Sequence, residues 1–200
     1  MPTLFQHPLR KVLSAFAVAT LLGPSLAAHA AEWNTAALLE RLAQQKSARG
    51  SFVEKKYIGI LDKPVESSGT LAFTAPGTLE KRTLKPRAEL LRLSGNMLRI
   101  EQHGKETMNL NLANYPEVSA FVDSIRATLA GDRKALEDGF RLALNGNAAS
   151  WTLILSPRYS RMSDVITRVA ISGSQADVQR IEFELPDGDR SEMLITRTAP

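Results

Sequence analysis

The stretch Gly69-Thr70-Leu71-Ala72-Phe73-Thr74-Ala75-Pro76-Gly77 decides how this chain folds. Leu71 and Phe73 alternate with Thr70, Ala72 and Thr74, a period of two that sends one set to a dry face and the other to a wet one, and Pro76-Gly77 stops the run. The same period appears upstream, where Phe52 and Ile58 alternate with Val53 and Tyr57. Downstream, Lys85-Pro86, Ser94-Gly95-Asn96 and His103-Gly104-Lys105 are turn signals. They separate strands centred on Leu79 to Thr83, Ala88 to Leu93, Leu98 to Gln102 and Glu106 to Leu112. Turns this short join antiparallel neighbours, because a parallel pair needs a long crossover. The expectation is a meander.

Helices flank and interrupt it. Between Trp33 and Ser47 the apolar positions Leu38, Leu39, Leu42 and Ala43 recur at helical spacing, with Asn34 or Thr35 placed to cap. After Pro116, which suits a first helical turn, Val118, Phe121, Val122, Ile125 and Leu129 form one stripe that ends at Gly131. A shorter helical piece from Asp132 to Asp138 leads into Phe140 to Leu144, then Asn145-Gly146, then Trp151 to Leu155, which reads as a hairpin turning at Asn145-Gly146. Strands centred on Thr167 to Ile171, Val178 to Leu185 and Arg190 to Arg197 close the chain, the last pair turning at Asp187-Gly188.

The reading is mainly β with α, about eleven antiparallel strands in one domain, and a twisted sheet of that width must curl or split. Two outcomes fit the periodicity. In a solid sandwich the helices complete the core. In a wide curved sheet they cover interior space that the strands leave empty, and beyond the first thirty residues only Phe52, Phe73, Phe121, Phe140 and Phe183 are phenylalanines available to fill it.

Arg10 and Lys11 precede an apolar run from Val12 to Leu22, followed by Gly23-Pro24 and by Ala28-His29-Ala30 with small residues at the two positions a signal peptidase inspects. The run is about half the ~20 residues that a membrane span needs. Residues 1–30 are therefore expected to be a secretory signal cleaved near Ala30, and residues 31–200 a single exported domain. No cysteine follows to carry a lipid.

The chain has 25 Lys+Arg against 21 Asp+Glu and no cysteine. That balance is too dilute for a nucleic-acid groove, and the missing thiols exclude disulfides, thiolate metal sites and cysteine nucleophiles. Past the leader one histidine remains, His103, beside a turn glycine and on the same strand face as Glu101, which gives at most two metal ligands. A Ser-His-Asp triad would need that same histidine, and there is no Gly-x-Ser-x-Gly elbow. Glu54 and Glu80 are the carboxylates that a glycosidase pair would use, although nothing in their spacing makes them meet. No phosphate-cradling loop or dinucleotide fingerprint is present. The reading is of a non-enzyme without a cofactor.

Gly50-Ser51-Phe52-Val53-Glu54, then Gly69 to Pro76, then Pro86, Gly95 and Leu98 resemble the LolA family of periplasmic carriers of outer-membrane lipoproteins. The resemblance runs over the chain from the leader to its end. It implies an unclosed antiparallel β-barrel with an N-terminal helix and a central helical lid over a hydrophobic cavity. It further implies a periplasmic, monomeric carrier that takes an acylated lipoprotein or other lipid from an inner-membrane donor complex to an outer-membrane acceptor. Two positions depart from the family pattern. Glu54 stands where the family commonly has glutamine, and Ala75 stands where an arginine before the proline holds the lid, which leaves Lys81 or Arg82 to supply a lock.

Shelter for acyl chains would come from Leu71, Phe73, Leu91, Leu93, Leu98, Ile100, Phe121, Ile125, Leu129, Trp151, Leu153, Phe183 and Met193. The competing reading keeps the fold and makes it a lipid-sensing or envelope interaction module without transport.

Overall fold

The computed structural model describes residues 32–198, without the side chains of Glu117, Val118 and Ala120, so the expected leader lies outside the described residues. Eleven antiparallel strands form one sheet in the order β6-β5-β4-β3-β2-β1-β11-β10-β9-β8-β7. In chain order these are β1 (Ser47–Tyr57), β2 (Val65–Thr74), β3 (Thr78–Lys85), β4 (Glu89–Ser94), β5 (Met97–Gln102), β6 (Met108–Asn111), β7 (Phe140–Asn147), β8 (Ser150–Pro157), β9 (Arg168–Ser174), β10 (Asp177–Glu184) and β11 (Arg190–Arg197). β6 and β7 are edges that do not pair with each other, so the barrel is unclosed. The segment between them carries α2 (Pro116–Ala130) and α3 (Arg133–Gly139); α1 (Thr35–Ala43) precedes the sheet and α4 (Ser160–Ser163) is one turn after β8.

Local chemistry sets the boundaries. The Asn34 side chain accepts from the Ala37 N–H at 3.1 Å and starts α1, which buries Leu38, Leu39 and Leu42. Pro116 opens α2, and Gly131, at φ 68°, closes it with its N–H returned to the carbonyls of Ala127 and Thr128. A Cβ on Gly131 would lie 2.3 Å from the Leu39 carbonyl oxygen, so glycine is also what lets the ends of α1 and α2 meet. Ser124 and Thr128, buried inside α2, satisfy their hydroxyls on the Phe121 and Ser124 carbonyls at 2.7 Å each.

One expectation is displaced. β7 and β8 continue through Asn145-Gly146, which pair with Thr152 and Trp151. The turn falls at Ala148-Ala149, where the Asn147 side chain accepts from the N–H groups of Ala149 and Ser150 at 2.9 and 3.2 Å. Asparagine two residues later supplies a local acceptor, and Gly146 is spent on close strand approach instead: its Cβ would sit 2.1 Å from the Ser150 carbonyl oxygen.

The two halves of the barrel are packed differently. Over β7–β10, α1 and α3 drive Leu38, Leu39, Leu42 and Leu136 against Phe140, Trp151, Leu153, Leu155, Val169 and Ile171 in one cluster. Trp151 donates its indole N–H to the Gln175 carbonyl at 3.0 Å, and the missing side chain of Gly173 leaves room for the ring. Over β2–β5 no helix fills the concave face, and Leu71, Leu79, Leu91 and Leu98 are only half-buried. The strands form one curved sheet and not a sandwich, with helices completing a solid core over one half and leaving the other hollow.

Candidate functional site

Under α2 the hollow half holds a cavity of about 380 Å³ that is partly open to solvent. Ten of the thirteen expected residues surround it: Leu71 and Phe73 from β2, Leu91 and Leu93 from β4, Leu98 from β5, Phe121, Ile125 and Leu129 from α2, Phe183 from β10 and Met193 from β11. Trp151 and Leu153, 2% and 0% exposed, belong to the solid half, packed in one cluster with Leu38, Leu39 and Leu42 of α1 and Leu136 of α3, and neither lines the cavity. Ile100 lies farther along β5, paired with Leu91 and Met108, and does not reach the cavity. Leu42, Leu79, Val122, Val178, Ile181 and Ile195 also line it and were not expected, and Leu42 and Ile181 belong at the same time to the packed cluster. Leu79 had a readable signal, since its register partners are Phe73 and Leu93 on the same face.

One buried ionic group interrupts this apolar wall. Glu54 in β1 is 4% exposed; one carboxylate oxygen accepts from the Lys81 ammonium at 2.5 Å and the Ser67 hydroxyl at 3.1 Å, the other from the Ser191 hydroxyl at 2.9 Å. Lys81 also stands 4.9 Å over the Phe52 ring. Burial pushes the Glu54 carboxyl up, but the charge and hydrogen bond of Lys81, with Lys56 and Ser191, outweigh it and hold the group below its ordinary value. Glu54 is therefore ionised at neutral pH.

The carboxylate pair that glycoside cleavage would require is not formed, because Glu80 faces Arg82 and Arg92 while Glu54 faces Lys81. His103 is exposed in a hairpin turn, and Glu101 is taken by Arg99 at 2.6 Å. No group of three or more metal-ligating side chains occurs among the described residues, and no helix there is long and apolar enough to cross a membrane.

Lys81 and Arg82, the two residues proposed above for a lid lock, are committed within the sheet to Glu54 and Glu80. A cation of α2 itself makes the tie instead. Arg126 reaches across the cavity rim, donates to the Gly95 carbonyl at 2.9 Å in the β4–β5 turn and pairs with Asp123 one turn back. Its stem lies in the space that a side chain at Gly77 would take, where a Cβ would be 2.5 Å from Arg126 Cδ. The sequence marks Arg126 only as an i,i+3 partner of Asp123 on a helix, which reads as surface.

A second opening, about 330 Å³, adjoins the first at the end of the barrel and is bounded by Tyr57, Ile58, Val165, Ile166 and Leu185. Glu54, Lys56, Phe121 and Phe183 line both spaces. The two phenylalanine rings meet edge to face at 4.2 Å between centroids and partition them.

An unclosed antiparallel barrel, packed solid on one side and hollow beneath a helix on the other, is a cavity-bearing scaffold whose wall is mainly apolar, with the buried Glu54 cluster where the two spaces adjoin and Arg49, Glu80, Asp177 and Arg197 also on its border. The family model of outer membrane lipoprotein carrier protein LolA-like proteins matches residues 27–200, and the chain belongs to that family. No curated protein matches the sequence. Similar solved structures include the LolA superfamily protein NE2245 from Nitrosomonas europaea, 11% identical over 82% of this chain and 93% of that one, with a TM-score of 0.42. The Mycobacterium tuberculosis lipoprotein LppX is 9% identical over 82% of this chain and 92% of its own, with a TM-score of 0.45. In the Pseudomonas aeruginosa MucA/MucB complex the matching chain is 15% identical, with 82% and 57% covered and a TM-score of 0.45. The family assignment rests on the sequence model alone.

Proposed function

We propose that this protein is an extracytoplasmic carrier that shelters the acyl chains of a lipoprotein or other lipid in the cavity under α2 and moves them through the periplasm towards the outer membrane. It would act as a monomer, loaded by an inner-membrane donor complex and unloaded by an outer-membrane acceptor. Residues 1–30 would direct export and be removed.

The observation that supports this most is the hollow half. Leu71, Leu91 and Leu98 point apolar surface into a space that no other side chain fills, although α1 and α3 show that the same fold can pack its interior solid. Each methylene buried on transfer from water contributes about 0.8 kcal/mol, so a long acyl chain gains most of what it needs from such a wall. The volume lies within the range of roughly 300–1,000 Å³ common for sites that bury a small ligand. Release requires that the grip be incomplete. Aliphatic walls without directional bonds, and a cover held at its free edge by Arg126, keep the net affinity low enough for hand-over.

Native mass spectrometry of protein released from the envelope by osmotic shock, followed by incubation with acceptor vesicles, tests the reading. The expected result is a co-purifying acyl species that leaves the protein when vesicles are added. A bound lipid that never leaves would favour a sensing module, and an interior that takes up neither lipid nor an apolar dye would overturn the proposal.

A further inference from the structure

We infer that the preferred ligand is an anionic amphiphile, its acyl chain in the larger cavity and its charged head at Lys56, where the two cavities adjoin. This rests on the carrier reading and narrows its cargo to lipids with a carboxylate or phosphate head.

The charge at the junction does not balance. Glu54, Lys81 and Lys56 converge there, one anion against two cations. Lys81 takes the close position on Glu54, 2.5 Å from one oxygen, and Ser67 and Ser191 complete the carboxylate's hydrogen bonds. Lys56 is left 3.8 Å from the other oxygen, too long for a hydrogen bond, with its side chain 52% exposed and lining both spaces. The nearby Asp189 and Arg190 do not alter this balance, since they carry opposite charges. Asp189 accepts from the Gly59 N–H at 2.8 Å, and Arg190 stacks on Tyr57 at 4.2 Å.

A buried ion pair adds little stability over an apolar pair of similar volume. Arg49 and the Arg197–Asp177 pair also border the larger cavity, and Glu80 there is neutralised by Arg82 and Arg92. The chain of Ser67, Lys81, Glu54, Ser191 and Lys56 is the charged point that borders both spaces, beside an opening to solvent. A ligand whose charge ends there leaves its apolar part against Phe121 and Phe183 and the wall beyond. Lys56 has three donors, and one is enough to mark a carboxylate or phosphate.

The test is displacement of an uncharged naphthylamine fluorophore from the full exported chain by three ligands of one acyl length. These are myristate, myristoyl lysophosphatidylglycerol and neutral monomyristoylglycerol. The two anions should displace it at roughly tenfold lower concentration than the neutral ester, as expected for one added charge-assisted hydrogen bond. In Lys56→Gln that ratio should fall to within about twofold, whereas Lys55→Gln, on the outer face and paired with Glu66, should keep it. Displacement by only one of the two anions identifies the head as carboxylate or phosphodiester; inorganic phosphate alone should displace nothing. A ratio near one in the unaltered protein, or one that Lys56→Gln leaves unchanged, overturns the inference while leaving the carrier reading standing. Failure of all three ligands overturns both.

Discussion

Glu54 of β1 and Lys81 of β3 touch at 2.5 Å although β2 runs between their strands. Gly69 makes this possible. It is the β2 residue opposite both Phe52 and Thr83, it has no side chain to stand in the way, and the β2–β3 register slips there. A Cβ at Gly69 would lie 1.9 Å from the Arg82 carbonyl oxygen, so the backbones of β2 and β3 close on each other and the sheet curls inward. Lys81 then extends over the Phe52 ring to the carboxylate.

The pair gives a pH signature. Because the folded Glu54 carboxyl lies below its ordinary 4.5, it contributes stability above that pH and loses the contribution as pH falls through the folded value. Glu54→Gln leaves Lys81 with a neutral partner in a mostly buried place, and the expected cost at pH 7 is roughly 2 kcal/mol. Thermal melts of the two proteins should differ most at neutral pH and converge as the pH falls below 4.5 and the folded Glu54 carboxyl takes up its proton. A gap that stays constant over that range would show that the ion pair is not the source.

The division into halves is tested by paired truncations. Leu153→Ala opens a hole in a close-packed cluster and should destabilise by about 3 kcal/mol in urea unfolding. Leu91→Ala removes atoms that already face a void, and should cost under about 1 kcal/mol. Equal costs would mean that the space beneath α2 is filled in solution.

Most of the fold is legible along the chain, because alternation about Leu71 and Phe73, the Pro and Gly stops and the stripe of α2 each follow from local periodicity. Periodicity identifies the face of a strand. It does not identify what stands opposite, which is why Trp151 and Leu153 read the same as Leu91 and Leu93. The difference arises from α1 and α3, which lie over β7–β10 and not over β2–β5. Arg126 was out of reach for a related reason. Its partner is a backbone carbonyl at Gly95, a group that every residue carries, so no residue type announces it.

Arg126 is expected to set how readily the cavity opens. In Arg126→Ala the helix loses its hydrogen bond to the β4–β5 turn, and hydrogen exchange along α2 should rise several-fold with little change in the solid half. Gly77→Ala should act in the same direction, since the added methyl occupies the path of the Arg126 stem. Both variants should load and release an apolar dye faster. Unchanged exchange in α2 would show that the contacts of α2 with α1 and α3 suffice to hold it.

Intrinsic fluorescence separates the compartments directly. Trp151 is enclosed in the solid half, and Trp33 packs against the same cluster beneath Arg41; neither lines a cavity. A brominated acyl chain bound under α2 quenches indoles that it touches, so the native emission should barely change on loading. Leu91→Trp puts an indole on the cavity wall without disturbing the packed cluster, and its added emission should be strongly quenched by the same ligand. Because one protein then carries both kinds of tryptophan, the contrast does not depend on ligand affinity. Strong quenching in the unaltered protein would place the acyl chain against the solid half and contradict the assignment of Trp151 to a closed core.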